Sequence, residues 1–327
     1  MRRILFAVRN PEARQQPGLA KAIQLARAFD ATLELFHAIN DPIFVSLLEL
    51  NDDSVDRLRE RIEGEARIPL ARLCEIARKH RVQAEATVEW DYPPHEAIVR
   101  RANTCGADLV IAECHKGGRT RPWLMHLTDW ELLRLSPVPV LLLKNGNPYR
   151  RPLTLAAVDP AHAHAKPHDL DAHVVQAARE FSRALRGALH MMHANYPTIV
   201  GLPVTQPRHS TWATLSYEEL KEQERQAFES FRREMGVMRT RSHLVEGNPA
   251  ALIPRTAREL GADMVVMGAL SRSGLARVFI GNTAERVLES LPCDVLVVKP
   301  EGFTARLLQE PRGIRVVPPP TVASLAS

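Results

Sequence analysis

The chain contains two consecutive copies of one sequence pattern. Gly106-Ala107-Asp108 precedes an apolar run, and Gly261-Ala262-Asp263 precedes a second one, at an offset of 155 residues. The register holds without a gap across residues 94–144 of the first copy. A repeat this long corresponds to a whole domain and not to the small unit of a solenoid. The sequence therefore predicts two tandem domains of one fold, and each position can be compared with its counterpart.

Strand and helix patterns alternate along both copies. In the first copy we predict strands at 4–8, 32–38, 82–90, 108–112 and 140–143, and helices at 19–29, 54–80, 94–104 and 130–135. In the second copy we predict strands at 153–158, 188–193, 238–245, 263–267 and 295–298, and helices at 169–186, 217–235, 249–260 and 283–290. The fourth and fifth strands are almost wholly apolar, which is typical of a parallel sheet covered on both faces. Each copy is thus predicted to be a doubly wound α/β domain with a five-stranded parallel sheet.

These patterns set the predicted domain limits. The domains cover residues 1–148 and 152–303, and the segment between them is rich in glycine, proline and asparagine. Residues 304–327 have no periodic pattern, and we expect a tail that is disordered or lies over the surface.

Composition argues against several classes of protein. Among 327 residues, 43 Lys and Arg against 38 Asp and Glu give a net charge of +5, and the basic residues are dispersed. Nucleic-acid binders usually concentrate their basic residues in a patch, so we expect no nucleic-acid partner. The four cysteines show no CxxC spacing, no run of 18 apolar residues occurs, and the apolar stretch at the start is too short for a signal peptide. We therefore expect a cytoplasmic protein without a membrane span.

One loop carries residues suited to phosphate binding. After the fourth strand of the second copy the spacing is Gly268-x2-Ser271-x9-Gly281-Asn282-Thr283. Glycine allows the backbone to turn tightly and to approach a ligand closely. The residues from Gly281 to Thr283 then open a helix, whose free N–H groups and positive dipole end favour an anion.

This spacing resembles the ATP-binding loop of the universal stress protein family, Gly-x2-Gly-x9-Gly-Ser/Thr. Residues 127–134 and 280–285 resemble the tandem, E-type members of bacteria, and the resemblance extends from Arg3 to about Pro300. It implies an adenine nucleotide alpha hydrolase-like fold with strand order 3-2-1-4-5 in each domain. It also implies that the fifth strands pair the two halves as an intramolecular pseudo-dimer, and it leaves a homodimer open.

The resemblance also implies a ligand site. In nucleotide-binding members an Asp just after strand one contacts the adenosine, and Asp159 stands at that place here. We expect ATP or another adenine nucleotide to bind in the second domain only, as a ligand that the fold does not require. The predicted binding residues are Asp159, Gly268, Ser271, Gly281, Asn282 and Thr283. Ser271 and Asn282 depart from the family pattern, although Ser is small and Asn can still donate a hydrogen bond.

The first copy departs much further from that pattern. Glu113 replaces Gly268, and His126 replaces Gly281. Matching the ends of the first strands places Arg9 opposite Asp159. Because both glycines are lost and an acid faces the phosphate position, we expect no ATP binding of the family type in this half.

Other readings of the sequence concern an apolar ligand, a metal and catalysis. The apolar segments 43–48 and 199–204 follow the second strands, where they either pack on the next helix or cover a cavity for an apolar or acyl-containing ligand. Residues 162–173 carry four histidines, but no Cys or paired carboxylate completes a known ligand spacing, so we predict no metal. No nucleophile–base pair is visible. The sequence thus predicts a stress-response protein that binds a small ligand and is not an enzyme.

Overall fold

The structure is a computed structural model that describes residues 1–40, 43–44, 52–114, 127–161, 169–195, 217–268, 282–303, 310–313 and 316–317. The chain forms two compact units. The first unit comprises Met1–Arg150 and Gly302–Ser327, and the second comprises Arg151–Glu301.

The first unit is built around a parallel five-stranded sheet. Its strands are β1 (Arg3–Ala7), β2 (Thr32–Ile39), β4 (Ala84–Trp90), β5 (Leu109–Glu113) and β6 (Val140–Leu143), with a separate two-residue strand, β3 (Ile43–Phe44). The sheet order is β4-β2-β1-β5-β6. The helices are α1 (Pro17–Phe29), α2 (Asp52–Lys79), α3 (Pro94–Cys105) and α4 (Leu127–Leu135).

The second unit repeats this arrangement. Its strands are β7 (Leu153–Ala157), β8 (Ala188–Asn195), β9 (Ser242–Glu246), β10 (Met264–Gly268) and β11 (Asp294–Val298), in the order β9-β8-β7-β10-β11. Its helices are α5 (Leu170–Ala184), α6 (Tyr217–Glu234), α7 (Pro249–Leu260) and α8 (Asn282–Ser290). The five long strands of each unit therefore follow the predicted order 3-2-1-4-5, which confirms the doubly wound α/β fold. Pairing of the fifth strands stays a prediction.

The repeated glycine and aspartate have structural roles in both units. Gly106 ends α3 at φ 66° and Gly261 ends α7 at φ 64°, a left-handed conformation that side chains disfavour. The Asp108 carboxylate accepts a hydrogen bond of 3.0 Å from the backbone N–H of Arg3, and Asp263 accepts one of 2.9 Å from Leu153. Each aspartate thus holds the start of the first strand of its unit, and the repeat preserves the scaffold.

Two elements differ from the sequence prediction. The strand predicted at 238–245 begins only at Ser242, because Arg239–Arg241 forms a 3₁₀ turn. In the tail, Val316–Val317 forms β12 and pairs in parallel with β3. The backbone N–H of Arg312 also donates to Asp91 at 2.9 Å. The described residues of the tail are therefore attached to the first unit.

In the part of the chain that the structure describes, no helix is both long and apolar enough to cross a membrane.

Candidate functional site

The strand order places a crevice next to the first strand of each unit. The chain passes from β1 to β2 on one side and later returns to β5 on the other, so the connections diverge between β1 and β5. The same divergence lies between β7 and β10. Ligands of doubly wound sheets bind beyond the carboxyl ends of the strands at this switch point.

Asp159 lies at the switch point of the second unit. It is the second residue after β7, and its backbone N–H donates to the Asp171 carboxylate at 3.1 Å. The Asp159 side chain is 40% exposed, and its Oδ1 lies 3.8 Å from Nδ1 of His193. The backbone of Asp159 is therefore fixed by α5, while its carboxylate remains accessible to a ligand.

His193 is a residue of this site that the sequence analysis did not identify. Its Nδ1 lies 3.1 Å from the carbonyl oxygen of Val158, and its Nε2 lies 3.7 Å from the Glu224 carboxylate. Because a carbonyl oxygen can only accept, we assign the Nδ1–H tautomer to this contact. The side chain is 2% exposed. His193 thus connects the strand end that carries Asp159 to α6.

The first unit contains the same contact. Nδ1 of His37 lies 2.8 Å from the carbonyl oxygen of Val8. The repeated dipeptides His37-Ala38 and His193-Ala194 were a signal for this pair. Their offset is 156 residues, so they fall outside the register of 155 that the comparison followed.

Gly268 ends the strand next to β7, and packing explains why this residue is a glycine. It ends β10, where the preceding Met267 pairs with Ala157 of β7. A Cβ atom on Gly268 would lie 2.5 Å from Cδ2 of Leu170, the buried first residue of α5. Glycine at this position therefore allows α5 to approach the strand end, whether or not a phosphate binds there.

The remaining predicted residues are only partly described. Asn282 and Thr283 open α8, as predicted, and their side chains lie outside the described residues. Ser271 and Gly281 also lie outside the described residues. The structure thus brings Asp159 and Gly268 to neighbouring strand ends, and the contribution of the loop stays a prediction.

In the first unit an acid occupies the position of Gly268. Glu113 ends β5, and its Oε1 accepts a hydrogen bond of 2.5 Å from the backbone N–H of Gly18 in the first turn of α1. A Cβ atom on Gly18 would lie 2.5 Å from the same Oε1. The carboxylate therefore occupies space near the amino end of a helix, where it also opposes a phosphate group by charge.

A cavity of about 600 Å³ lies at the same end of the first unit. It is lined by the ends of β1, β2 and β5 and by residues of α2, α3 and α4. Its walls combine the apolar side chains of Ile39, Ile62, Ile98 and Leu132 with charged ones, which are Arg9, Glu12, Glu65, Glu113 and Asp129. This volume falls within the range of small-molecule sites.

The histidines of residues 162–173 and the thiol of Cys105 were the remaining groups with possible chemistry. No group of three or more potential metal ligands occurs among the described residues. His173 belongs to α5, 3.5 Å from Glu301, whereas His162, His164 and His168 lie outside the described residues. Burial, with the nearby Glu34, raises the pKa of Cys105 to about 11, so this thiol is protonated at neutral pH.

The family assignment follows from comparison with known proteins. The sequence pattern described as the universal stress protein family matches residues 1–144 and again residues 156–299. The chain belongs to the universal stress protein family. It contains two such domains in tandem, which confirms the E-type arrangement predicted from the sequence.

Full-length relatives and solved structures agree with this assignment. Universal stress protein E of Escherichia coli (strain K12) is 26% identical over 304 residues, which cover 91% of this chain and 94% of that protein. Universal stress protein E of Photorhabdus laumondii is 26% identical over 306 residues, with 91% and 95% covered. A crystal structure of a putative universal stress protein from Pseudomonas aeruginosa matches with a TM-score of 0.71 at 26% identity, over 92% of this chain and 94% of the other.

Proposed function

We propose that this stress protein binds ATP or another adenine nucleotide at the carboxyl ends of β7 and β10 and acts as a non-catalytic stress-response protein. The observation that carries the proposal is the position of Asp159. Its carboxylate is accessible at the switch point of the second unit, and its backbone is held by Asp171. An acid at this position of a doubly wound sheet is suited to accept hydrogen bonds from ribose hydroxyls.

The start of α8 supplies the second part of the proposed site. Asn282 is its first residue and follows Gly281 in the predicted phosphate loop. The first N–H groups of a helix have no partner within the helix and bind phosphate oxygens readily. In this arrangement Asp159 holds the adenosine, and backbone amides near Gly281 and Asn282 hold the phosphates.

We further propose that the nucleotide binds only in the second unit. Asp159 has its counterpart in Arg9, which cannot accept a hydrogen bond from a ribose. Glu113 places a carboxylate at the strand end where the second unit has Gly268. Both changes disfavour a nucleotide in the first unit.

Calorimetric titration with ATP tests the proposal. Asp159→Ala should weaken binding about tenfold or more, since it removes a charged hydrogen-bond acceptor. Arg9→Ala changes the matching position of the first unit and serves as the control, with unchanged affinity expected. Gly281→Glu should abolish binding at this site by placing a negative charge in the phosphate loop. Absence of binding at millimolar ATP, or an equal loss in Arg9→Ala, would contradict the proposal.

The cavity of the first unit supports a second candidate function. Ile39, Ile62 and Ile98 in its wall favour an apolar or acyl-containing ligand, and Glu113 disfavours a phosphate. Native mass spectrometry of the purified protein separates the two candidates. A retained mass that is not a nucleotide supports the apolar ligand, and recovery of the empty chain or of a nucleotide alone counts against it.

A further inference from the structure

A second cleft lies in the second unit, at the end of the sheet opposite to Asp159. It has a volume of about 360 Å³ and is lined by the end of α5, the start of β8 and the segment from α6 to β9. Gly187 directly precedes β8, and Arg241 directly precedes β9. The cleft is therefore at the amino ends of these strands, whereas Asp159 lies at a carboxyl end.

Four arginines line this cleft: Arg179, Arg183, Arg186 and Arg241. The described lining contains no acidic side chain. The Arg179 guanidinium donates to the backbone carbonyl of Met235, and among the described residues no carboxylate forms an ion pair with any of the four. Four positive charges around a small volume repel one another, and a bound anion would relieve that repulsion.

Ser182 provides an independent indication of a ligand. It lines the cleft and is 4% exposed, and its buried hydroxyl has no hydrogen-bond partner among the described residues. A buried hydroxyl without a partner is costly, so such groups are normally satisfied by protein, water or ligand. Because Ser182 belongs to the lining of the cleft, its hydroxyl is a candidate donor to an anionic oxygen there.

The first unit shows that the fold does not require these residues. The backbone N–H of Gly187 donates to Ser182 at 2.7 Å, and the N–H of Ala31 donates to Ala26 at 2.8 Å at the equivalent helix end. This pattern aligns Ser182 with Ala26. Arg186 and Asp30 are likewise equivalent, with φ 54° and 52°.

The helix dipole accounts for only part of the charge. A cation at the end of α5 is favourable, and Arg183 has such a counterpart in Arg27 of α1. The dipole explains neither an arginine where the first unit has an aspartate nor a buried serine where it has an alanine. Ser182 and Arg186 therefore distinguish the cleft as a property of the second unit.

We propose that this cleft binds a small anion that carries several phosphate groups, such as inorganic triphosphate. Arginine guanidinium groups match phosphate geometry with paired N–H donors, and Ser182 adds a hydroxyl donor. The site shares no residue with the proposed nucleotide site, so either proposal can fail without the other.

Calorimetric titration with sodium triphosphate at about 150 mM salt, where weak surface attraction is screened, tests the proposal. Arg186→Asp introduces the first-unit residue at an exposed position and should weaken binding about tenfold or more. Arg258→Asp makes the same charge change at an exposed position of α7 outside the cleft and should leave the affinity unchanged. No binding at millimolar triphosphate, or equal losses in both variants, would overturn the site.

Ser182→Ala distinguishes a role of Ser182 in binding from a purely structural role. The first unit folds with alanine at this position, so the thermal midpoint without ligand should stay unchanged or rise, while triphosphate affinity should fall. A lower midpoint with unchanged affinity would refute the role of Ser182.

The phosphate source is tested in the Asp159→Ala variant. Displacement of triphosphate by ATP in that variant supports recognition of a phosphate chain. Binding of an oligonucleotide that Arg186→Asp weakens and that triphosphate does not displace would overturn the proposal.

Discussion

At the scale of single residues, the two units solve one packing problem in opposite ways. Where the end of the fourth strand meets the first helix, the first unit pairs Glu113 with Gly18, and the second pairs Gly268 with Leu170. Only one large side chain fits at each contact, because a Cβ on either glycine would lie 2.5 Å from its neighbour. Gly268 matches a ligand-binding pattern, but a glycine is also needed there because the residue opposite, Leu170, is large.

This coupling predicts the effect of filling the contact in the second unit. Gly268→Ala should destabilise the second unit by about 1–3 kcal/mol, the usual cost of overpacking. Leu170→Ala alone should cost about 2–5 kcal/mol, because Leu170 is 3% exposed. The double variant should be more stable than the sum of the two losses implies, since the smaller residue at 170 makes room. Urea denaturation followed by circular dichroism measures this cycle, and strict additivity would show that the two residues do not compete for space.

Individual residues of the site differ in how far the sequence could predict them. Asp159 was proposed because the family resemblance implies an acid just after the first strand, and that strand is recognisable in the sequence. His193 was missed because an insertion shifts its offset from its counterpart. The spacing that includes Gly268 is visible in the sequence, but Leu170, whose packing also requires a glycine there, is far away in sequence.

At the scale of elements, the tail contains a short strand that the sequence analysis did not predict. Arg312 donates to both carboxylate oxygens of Glu96 in α3, at 3.1 and 2.8 Å. Burial would raise the pKa of Glu96, but hydrogen bonds from Arg312 and Arg100 outweigh burial and lower it. A two-residue strand such as β12 is too short to show a periodic pattern, and its partner β3 is more than 270 residues away in the chain. Long-range pairing of this kind cannot be read from local pattern.

The ion pair between Arg312 and Glu96 predicts the effect of a substitution at Arg312 on the tail. Arg312→Ala should change the free energy of unfolding by less than about 1 kcal/mol, because the Arg312 side chain is 41% exposed. It should nevertheless increase proteolytic cleavage within residues 304–317, since it removes two hydrogen bonds that hold the segment. Arg255→Ala, which breaks an exposed ion pair with Glu259 on α7, is the control. Unchanged cleavage in Arg312→Ala would show that other contacts hold the tail.

At the scale of the whole molecule, equivalent positions of the two sheets carry different ionisable groups. In the first unit the buried Glu34 accepts hydrogen bonds from Thr87 at 3.0 Å and from Arg101 at 2.5 Å. The equivalent pair in the second unit is His190 and His243, whose rings stack at 5.2 Å with 3.0 Å between Nδ1 and Nε2. One sheet thus holds a charged network where the other holds two neutral rings.

The pKa values of all three groups are lowered, but by different causes and with different consequences for stability. Burial would raise the pKa of Glu34, but Arg101 and Thr87 outweigh burial and lower it. Its stabilising contribution is therefore complete above pH 4.5 and is lost only as the pH falls below that value. Burial lowers the pKa of His243, and burial together with His243 and Arg241 lowers that of His190. The unfolded state then binds more protons, so the contribution of the pair is complete above pH 6.5 and is lost as the pH falls through the lowered values.

Mild acid should therefore loosen the β8–β9 pairing of the second unit before the β2–β4 pairing of the first. Lowering the pH from about 7.5 to about 5.5 should reduce hydrogen-exchange protection in residues 188–195, after correction for intrinsic rates, and leave residues 32–39 unchanged. The double variant His190→Gln and His243→Gln should abolish the difference. Equal loss of protection in both segments would show that the histidine pair is not responsible.

The architecture itself was well predicted because it depends on repeated local signals. Apolar strands, helix-ending glycines and the aspartates at 108 and 263 recur in both halves, so each half supports the interpretation of the other. The 3₁₀ turn at Arg239–Arg241 was missed because the apolar residues before it continue the strand pattern.

The attachment of Arg312 to Asp91 has a consequence for biosynthesis. A ribosome completes the first 150 residues long before it reaches residue 312, and the whole second unit is translated in between. The first unit therefore emerges without the contacts of Arg312, and among the described residues only Arg100 pairs with the Asp91 and Glu96 carboxylates until the tail is made. It acquires its last contacts only after its neighbour has been made, so nascent chains that stall within the second unit carry an incomplete first one.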